Sequence, residues 1–245
     1  MPTIKDTITM PDGTCAVTLA TPDGHGPWPG VVMYPDAGGA RATFDEMAAK
    51  LAGYGYVVLV PDVYYRDAGW KPFDMATAFS DTRERNRLFS MMKKVTPDVM
   101  AADAAAFFDY LESRPEVTGS KFGITGYCMG GRTSLVVAGR VPDRVAAAMS
   151  FHGGGLASDD PGSPHLLADK IHAAVYVGGA AGDASFTPKQ AETLNKALTA
   201  AGVEHIIETY AGTHGFAVPD NAPYNQAADE RHWEAMESFF GSRLG

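Results

Sequence analysis

Cysteine is scarce in this sequence: among 245 residues there are only Cys15 and Cys128. Two thiols do not make a disulfide framework, which points to a chain that works in a reducing compartment. Long hydrophobic runs are missing too. No apolar stretch approaches the roughly 18 residues that a membrane span requires. The opening MPTIKDTITMPDGTC has neither the charged start nor the apolar middle of a signal peptide. Together these absences predict a cytoplasmic protein with no membrane partner. Positive charge is also in deficit, with 20 Lys and Arg against 29 Asp and Glu for a formal charge of −9 and a pI near 5.2. Such a field repels phosphate backbones, so nucleic acid is excluded as an expected partner. Internal repeats, low-complexity tracts and Pro/Gly/Ser linkers are absent as well, and nothing argues for more than one domain over residues 1–245.

What the sequence does have is 45% hydrophobic residues at a mean hydropathy of −0.12, enough to bury a sizeable core. TIKDTITM and CAVTLATP flank Pro11-Asp12-Gly13 and read as an N-terminal antiparallel hairpin. From Gly30 the pattern changes. GVVMYP, YVVLVPD, KFGITGY, RVAAAMSFHG and IHAAVYVGG are short, nearly continuous apolar runs, as expected of parallel strands buried on both faces.

Stretches with helical spacing separate these runs, with Thr43 and Thr96 as expected N-caps, Pro97 at a first helical position, and Gly53 and Gly202 near C-termini. EHIIETYAG reads as a last strand before a closing helix that puts Trp233, Met236 and Phe240 on one face. The alternation predicts an α/β fold with a mostly parallel central sheet flanked by helices. The longest unassigned segment, about 62–96, reads as a cap-like loop over a site, since stretches of that length are functional or hide short helices.

The stretch that carries chemistry is KFGITGYCMGGRTSL: a strand, a Gly-x-Cys-x-Gly turn and a small-residue helix opening. In such a turn the central residue is thrown into strained backbone geometry above the sheet, and Gly126, Gly130 and Gly131 let strand and helix approach. Cys128 is the expected nucleophile, at a helix N-terminus whose dipole favours a thiolate. A nucleophile of this kind needs a base and an orienting acid, in the chain order nucleophile, acid, histidine.

Of the seven histidines, His214 in YAGTHGFAVP follows the last strand between Gly212 and Gly215, which let its ring reach the carboxyl edge of the sheet, whereas the other six read as surface or core side chains. The acid is expected after the strand AAVYVGG, where Asp183 is alone in its loop, 55 residues after Cys128 and 31 before His214. HGGG at His152–Gly155 comes after the nucleophile, so it reads as close backbone packing and not as an oxyanion hole.

GYCMGG, GDASFTP and GTHGF, with PWPGVVMYPDAGG and PDVYY ahead of them, resemble the dienelactone hydrolase family of α/β-hydrolases over essentially the whole chain. The resemblance implies a Cys128–Asp183–His214 triad, with the backbone amides of Met129 and Ala37 as oxyanion hole. It also implies that Asp36, an aspartate where the family has glutamate, contacts the resting thiol and helps activate it. Dienelactone-cleaving members are expected to hold the substrate carboxylate with two arginines. Arg85 matches the loop position, while Val218 stands four residues after His214 where the second arginine would be.

Tyr64, Tyr65, Trp70, Phe73, Phe79 and Phe89 in the long segment suggest aromatic walls for a small, partly apolar ester or lactone, and Tyr64 is expected to touch substrate. No metal or organic cofactor is implied, and a monomer or small homo-oligomer is expected. Two other readings stay open: a thioesterase or acyltransferase with the same triad, and a non-catalytic ligand-binding or redox-sensing relative.

Overall fold

The computed structural model describes residues 1–244. Strands β1 (Thr3–Met10) and β2 (Gly13–Ala20) form the antiparallel hairpin, in register from Thr3 opposite Ala20 to Met10 opposite Gly13. β2 then pairs antiparallel with β4 (Val57–Pro61). From there every pairing is parallel, through β3 (Trp28–Tyr34), β5 (Val117–Tyr127), β6 (Val145–Phe151), β7 (Ala174–Ala180) and β8 (His205–Tyr210). The eight-stranded order is β1-β2-β4-β3-β5-β6-β7-β8. This is the mostly parallel α/β-hydrolase sheet, with an antiparallel hairpin at one edge.

The apolar runs are continuous because alternate residues pack on opposite faces. Val32, Tyr34, Val57, Leu59 and Ile124 pack with α3 (Pro97–Glu112), α4 (Met129–Arg140) and α5 (Pro188–Ala200). Val31, Met33, Val58 and Val60 pack with α1 (Ala42–Ala52) and α6 (Gln226–Gly241), where Trp233, Met236 and Phe240 are buried as their spacing predicted.

Side-chain caps start three of these helices, of which the Thr96 cap was expected. Thr96 accepts from the Val99 amide with Pro97 at the first helical position, Thr187 and Gln190 form a capping box on α5, and Asn225 accepts from the Ala228 amide. In the first helix the expectation fails. The N-cap is Arg41, with no side-chain capping bond, and Thr43 lies inside the first turn. Arg41 is fixed there by its guanidinium, which bridges the carboxylates of Asp36 and Asp220.

The segment 62–96 does hide a short helix. It carries a helix, α2 (Thr82–Met92), capped by the Asp81 side chain, which accepts from the Glu84 amide. Between β3 and its two neighbours the chain order reverses, β4 lying on one side and β5 on the other. Loops leaving the carboxyl ends of β3 and β5 therefore diverge and open a crevice, the place where open α/β sheets bind ligands.

Candidate active site

Cys128 sits at that crevice, between the last residue of β5 and the first of α4, with φ 54° and ψ −113°. A left-handed backbone at a residue with a side chain costs on the order of 1–3 kcal/mol and persists only where its surroundings enforce it. The glycines show how. A Cβ on Gly126 would fall 2.1 Å from the Gly130 carbonyl oxygen, and one on Gly130 would fall 2.3 Å from the Tyr34 carbonyl oxygen. Strand and helix thus meet at backbone contact, and the Cys128 amide donates to the Phe151 carbonyl at 3.1 Å. The half-buried thiol is presented at the N-terminus of α4, where unpaired amides and the helix dipole favour an anion.

The loops after β7 and β8 bring Asp183 and His214 to the same edge. His214 Nδ1 donates to Asp183 Oδ2 at 2.7 Å. The other carboxylate oxygen, Oδ1, accepts from the Ser185 amide at 2.8 Å and from the Ser185 hydroxyl at 2.6 Å. Burial works against the charged form of Asp183, but the bonds from His214 and Ser185 outweigh it and hold the carboxyl at about 2. Burial likewise works against a charged His214. Its hydrogen bonds to Asp183 and Cys128 win and push it up to about 10. These contacts favour the charged form of the ring. With Nδ1 committed to Asp183, Nε2 is the nitrogen left for the thiol.

Ala37 and Met129 line one cavity with Cys128 and His214. The Met129 amide belongs to the first turn of α4 and has no partner within the helix. Tyr64 is placed differently from expectation. It is buried, its hydroxyl donates to the Ala37 carbonyl at 3.0 Å and contacts Met129 Sδ at 3.5 Å, and it lines neither cavity beside the thiol. Its ring packs edge-on to Trp70, so it braces the loop that carries the Ala37 amide.

Arg85, half-buried on α2, also lines neither cavity. Its neighbours Arg83 and Arg87 face a separate cleft with Arg66 and Lys94, because the α2 face turned to the site is the one carrying Phe89 and Met92. Asp36 does reach the site and is almost fully buried. Its carboxylate, however, accepts from the Gly38 amide at 2.8 Å, from Arg41 at 2.7 and 3.0 Å and from Asn221 Nδ2 at 3.2 Å. Both oxygens are engaged by these groups.

Three findings from comparison bear on this geometry. The model of the dienelactone hydrolase family matches residues 15–244. The chain belongs to the dienelactone hydrolase family. A Synechocystis sp. relative named "Putative carboxymethylenebutenolidase" is 28% identical over 98% of each chain, and an Escherichia coli relative of the same name is 26% identical over 88% of this chain and 77% of its own. Among solved structures, a dienelactone hydrolase-like promiscuous phosphotriesterase from metagenomic libraries superposes with a TM-score of 0.78 at 26% identity, covering 100% of this chain and 99% of its own. The family makes this chain a hydrolase acting on carboxylic ester or lactone bonds.

Some residues around this dienelactone hydrolase-family site escaped the sequence. Ser185 follows the acid by two residues, and an Asx-type turn at Asp183 was the available signal. Arg41 neutralises Asp36 from the start of α1, which no local pattern indicates. His152 is the third. It is fully buried, holds φ 39° and packs its ring edge-on to His214 at 5.3 Å and to Phe216 at 5.2 Å. Burial, with the His214 charge beside it, keeps its imidazole well below the ordinary range, so it stands against His214 as a neutral wall. Next to it, a Cβ on Gly131 would lie 3.1 Å from the Gly153 Cα, the close packing expected of HGGG.

Proposed function

We propose that this protein is a cysteine-dependent hydrolase of a small ester or lactone that works through a thioester acyl-enzyme. The observation that carries the reading is the line of contacts from Asp183 Oδ2 through the His214 ring to a Cys128 held in left-handed geometry at a helix N-terminus.

The Cys128 thiolate attacks the carbonyl carbon, forming a C–S bond while the oxygen takes the electron pair. The amides of Ala37 and Met129 receive that oxyanion. Collapse breaks the C–O bond to the leaving group, and His214 gives its proton to the departing alkoxide. His214, now neutral, takes a proton from water as the hydroxide attacks the thioester. The C–S bond breaks, the acid is released, and thiolate and imidazolium are restored. Asp183 keeps the ring in the required orientation throughout and stabilises its charged form. In a lactone the leaving alkoxide stays tethered to the acyl group. Thiolates leave easily, so the tetrahedral adduct can revert. Activated esters and strained or enol lactones are therefore the expected substrates, consistent with the names of the relatives.

The test is to mix the protein with a short-chain aryl ester and with an enol lactone, to measure turnover, and to read intact mass after acid quench. An acyl adduct absent from Cys128→Ser, with turnover lost in His214→Ala, is the expected result. Hydrolysis that survives Cys128→Ala would sink the reading.

A further inference from the structure

Two chambers meet at the Cys128 sulfur. One has a volume of about 930 Å³ and the other about 360 Å³, and Ala37, Phe79, Cys128 and His214 border both. Their other walls differ. The larger is bounded by Phe89, Met92, Val95, Met100 and Met129, an apolar surface whose methionines can adapt to different shapes. Phe79 and Phe89 stand at its mouth with their rings in edge contact at 6.5 Å, and they are 48% and 44% exposed, so apolar surface is left open to water where a ligand would cover it.

Cations in that chamber are committed or peripheral. Arg132 donates to the Gly155 carbonyl at 2.9 Å and the Gly162 carbonyl at 3.1 Å and pairs with Asp160 at 3.5 Å. Lys93 is exposed at the end of α2. Val218 is buried in the core on the α1–α6 side of the sheet and borders neither chamber. A substrate carboxylate in the large chamber would thus be desolvated with no uncommitted buried cation to meet it, His214 being tied to Asp183.

The smaller chamber lies on the histidine loop, with Gly215, Asn221 and Pro223 in its wall and Met75 and Ser80 opposite. His214 borders both chambers, but only this one also takes in Gly215, so an oxygen leaving toward this side departs along the histidine loop.

We propose that the site is bipartite: an uncharged, apolar acyl group fills the chamber lined by Phe89, Met92 and Met100, a compact leaving group fills the chamber beside Gly215 and Asn221, and Phe79 is the partition that limits the leaving group. The inference rests on Cys128 being the acylated nucleophile. It departs from recognition of an anionic lactone.

The experiment uses three probes on the full chain: 4-nitrophenyl esters from acetate to hexanoate, butyrate esters of ethanol, butanol and octanol followed by pH-stat, and 4-nitrophenyl hemisuccinate. Each methylene added on the acyl side is expected to raise kcat/KM about fourfold up to hexanoate, while lengthening the alcohol leaves it flat or lowers it. Hemisuccinate should be turned over at least about tenfold more slowly than butyrate. Phe79→Ala, a change at an exposed side chain, should raise the octyl-to-ethyl ratio by roughly fivefold, and Phe79→Leu should raise it less.

Turnover with equal dependence on both chain lengths would overturn the bipartite site and leave the nucleophile reading standing. So would a preference for hemisuccinate that disappears in Lys93→Met. Absence of an acyl adduct with every probe would overturn both.

Discussion

The two cysteines of this protein carry the same side chain into opposite environments. Cys15 lies in β2 with regular strand pairing, opposite Ile8, and no exposed surface. Its thiol contacts the carbonyl oxygens of Ala16 and Asp62 at 3.4 Å. Burial, reinforced by the negative charges of Asp62 and Asp103, pushes it up to about 12. Cys128 is half-buried on a left-handed turn, faces two chambers, and lies against His214, whose charged form its contacts favour. The difference in reactivity proposed for them thus rests on what the backbone places around each thiol and not on the thiol itself.

The sharpest way to break this contrast is mutation of each cysteine. Cys128→Ala is expected to lower kcat/KM for an aryl ester by at least about 10⁴-fold, whereas Cys15→Ala leaves it unchanged. A comparable loss in both variants would mean that the two sites differ less than their surroundings indicate.

Asp183→Asn should cost about 10²- to 10⁴-fold, since an amide can present its N–H to His214 Nδ1 and favour the wrong tautomer. Steady-state rates with folding verified by circular dichroism would check it, and near-native rates would remove Asp183 from its role. Alkylation comes next in size. Iodoacetamide at neutral pH should label Cys128 at least about 100-fold faster than Cys15, and Cys15 should react only once the chain is unfolded, as read by peptide mass mapping.

A smaller effect concerns protons. The His214 resonance is expected to titrate near 10 and to move down toward the ordinary imidazole value in Cys128→Ser, because the thiol is one of the groups that hold its charge. An NMR titration that gave the same midpoint in both proteins would show the two side chains to be uncoupled. Since the folded value lies above the unfolded one, His214 contributes stability fully below about 6.5, and this is lost as pH rises through about 10. Asp183 is the converse case: its contribution is present above about 3.9 and lost as pH falls through about 2. Cys15→Ala is the smallest change, with an expected loss of about 1 kcal/mol in denaturant unfolding from the vacated sulfur volume.

Legibility in the sequence followed the range of the interactions. Continuous apolar runs, a Pro-Asp-Gly turn and the Thr96 cap act within a few residues, and the strands, hairpin and helix start they imply are found at those positions. Thr43 failed because the start of α1 is fixed from 179 residues away, by Asp220 holding Arg41. Within the site, glycines at 126 and 130 announced the turn at Cys128 because only a residue without Cβ survives a 2.1 or 2.3 Å approach. Tyr64 and Arg85 could be placed in the right segment but not relative to the cavities, since the Tyr64 hydroxyl is taken by the Ala37 carbonyl and how far along α2 the chamber wall extends depends on packing.

The sequence by itself determined a parallel α/β sheet, a strained Gly-x-Cys-x-Gly turn, and an acid and a histidine in loops spaced to follow successive strands. These rest on periodicity and backbone sterics, which are local. The tertiary structure alone decided that Asp36 and Asp220 would share Arg41, that Ser185 and His152 would bracket His214, and that two chambers would border Cys128. Charge pairing and cavity shape arise between residues far apart in the chain, and only the packed fold brings them within reach.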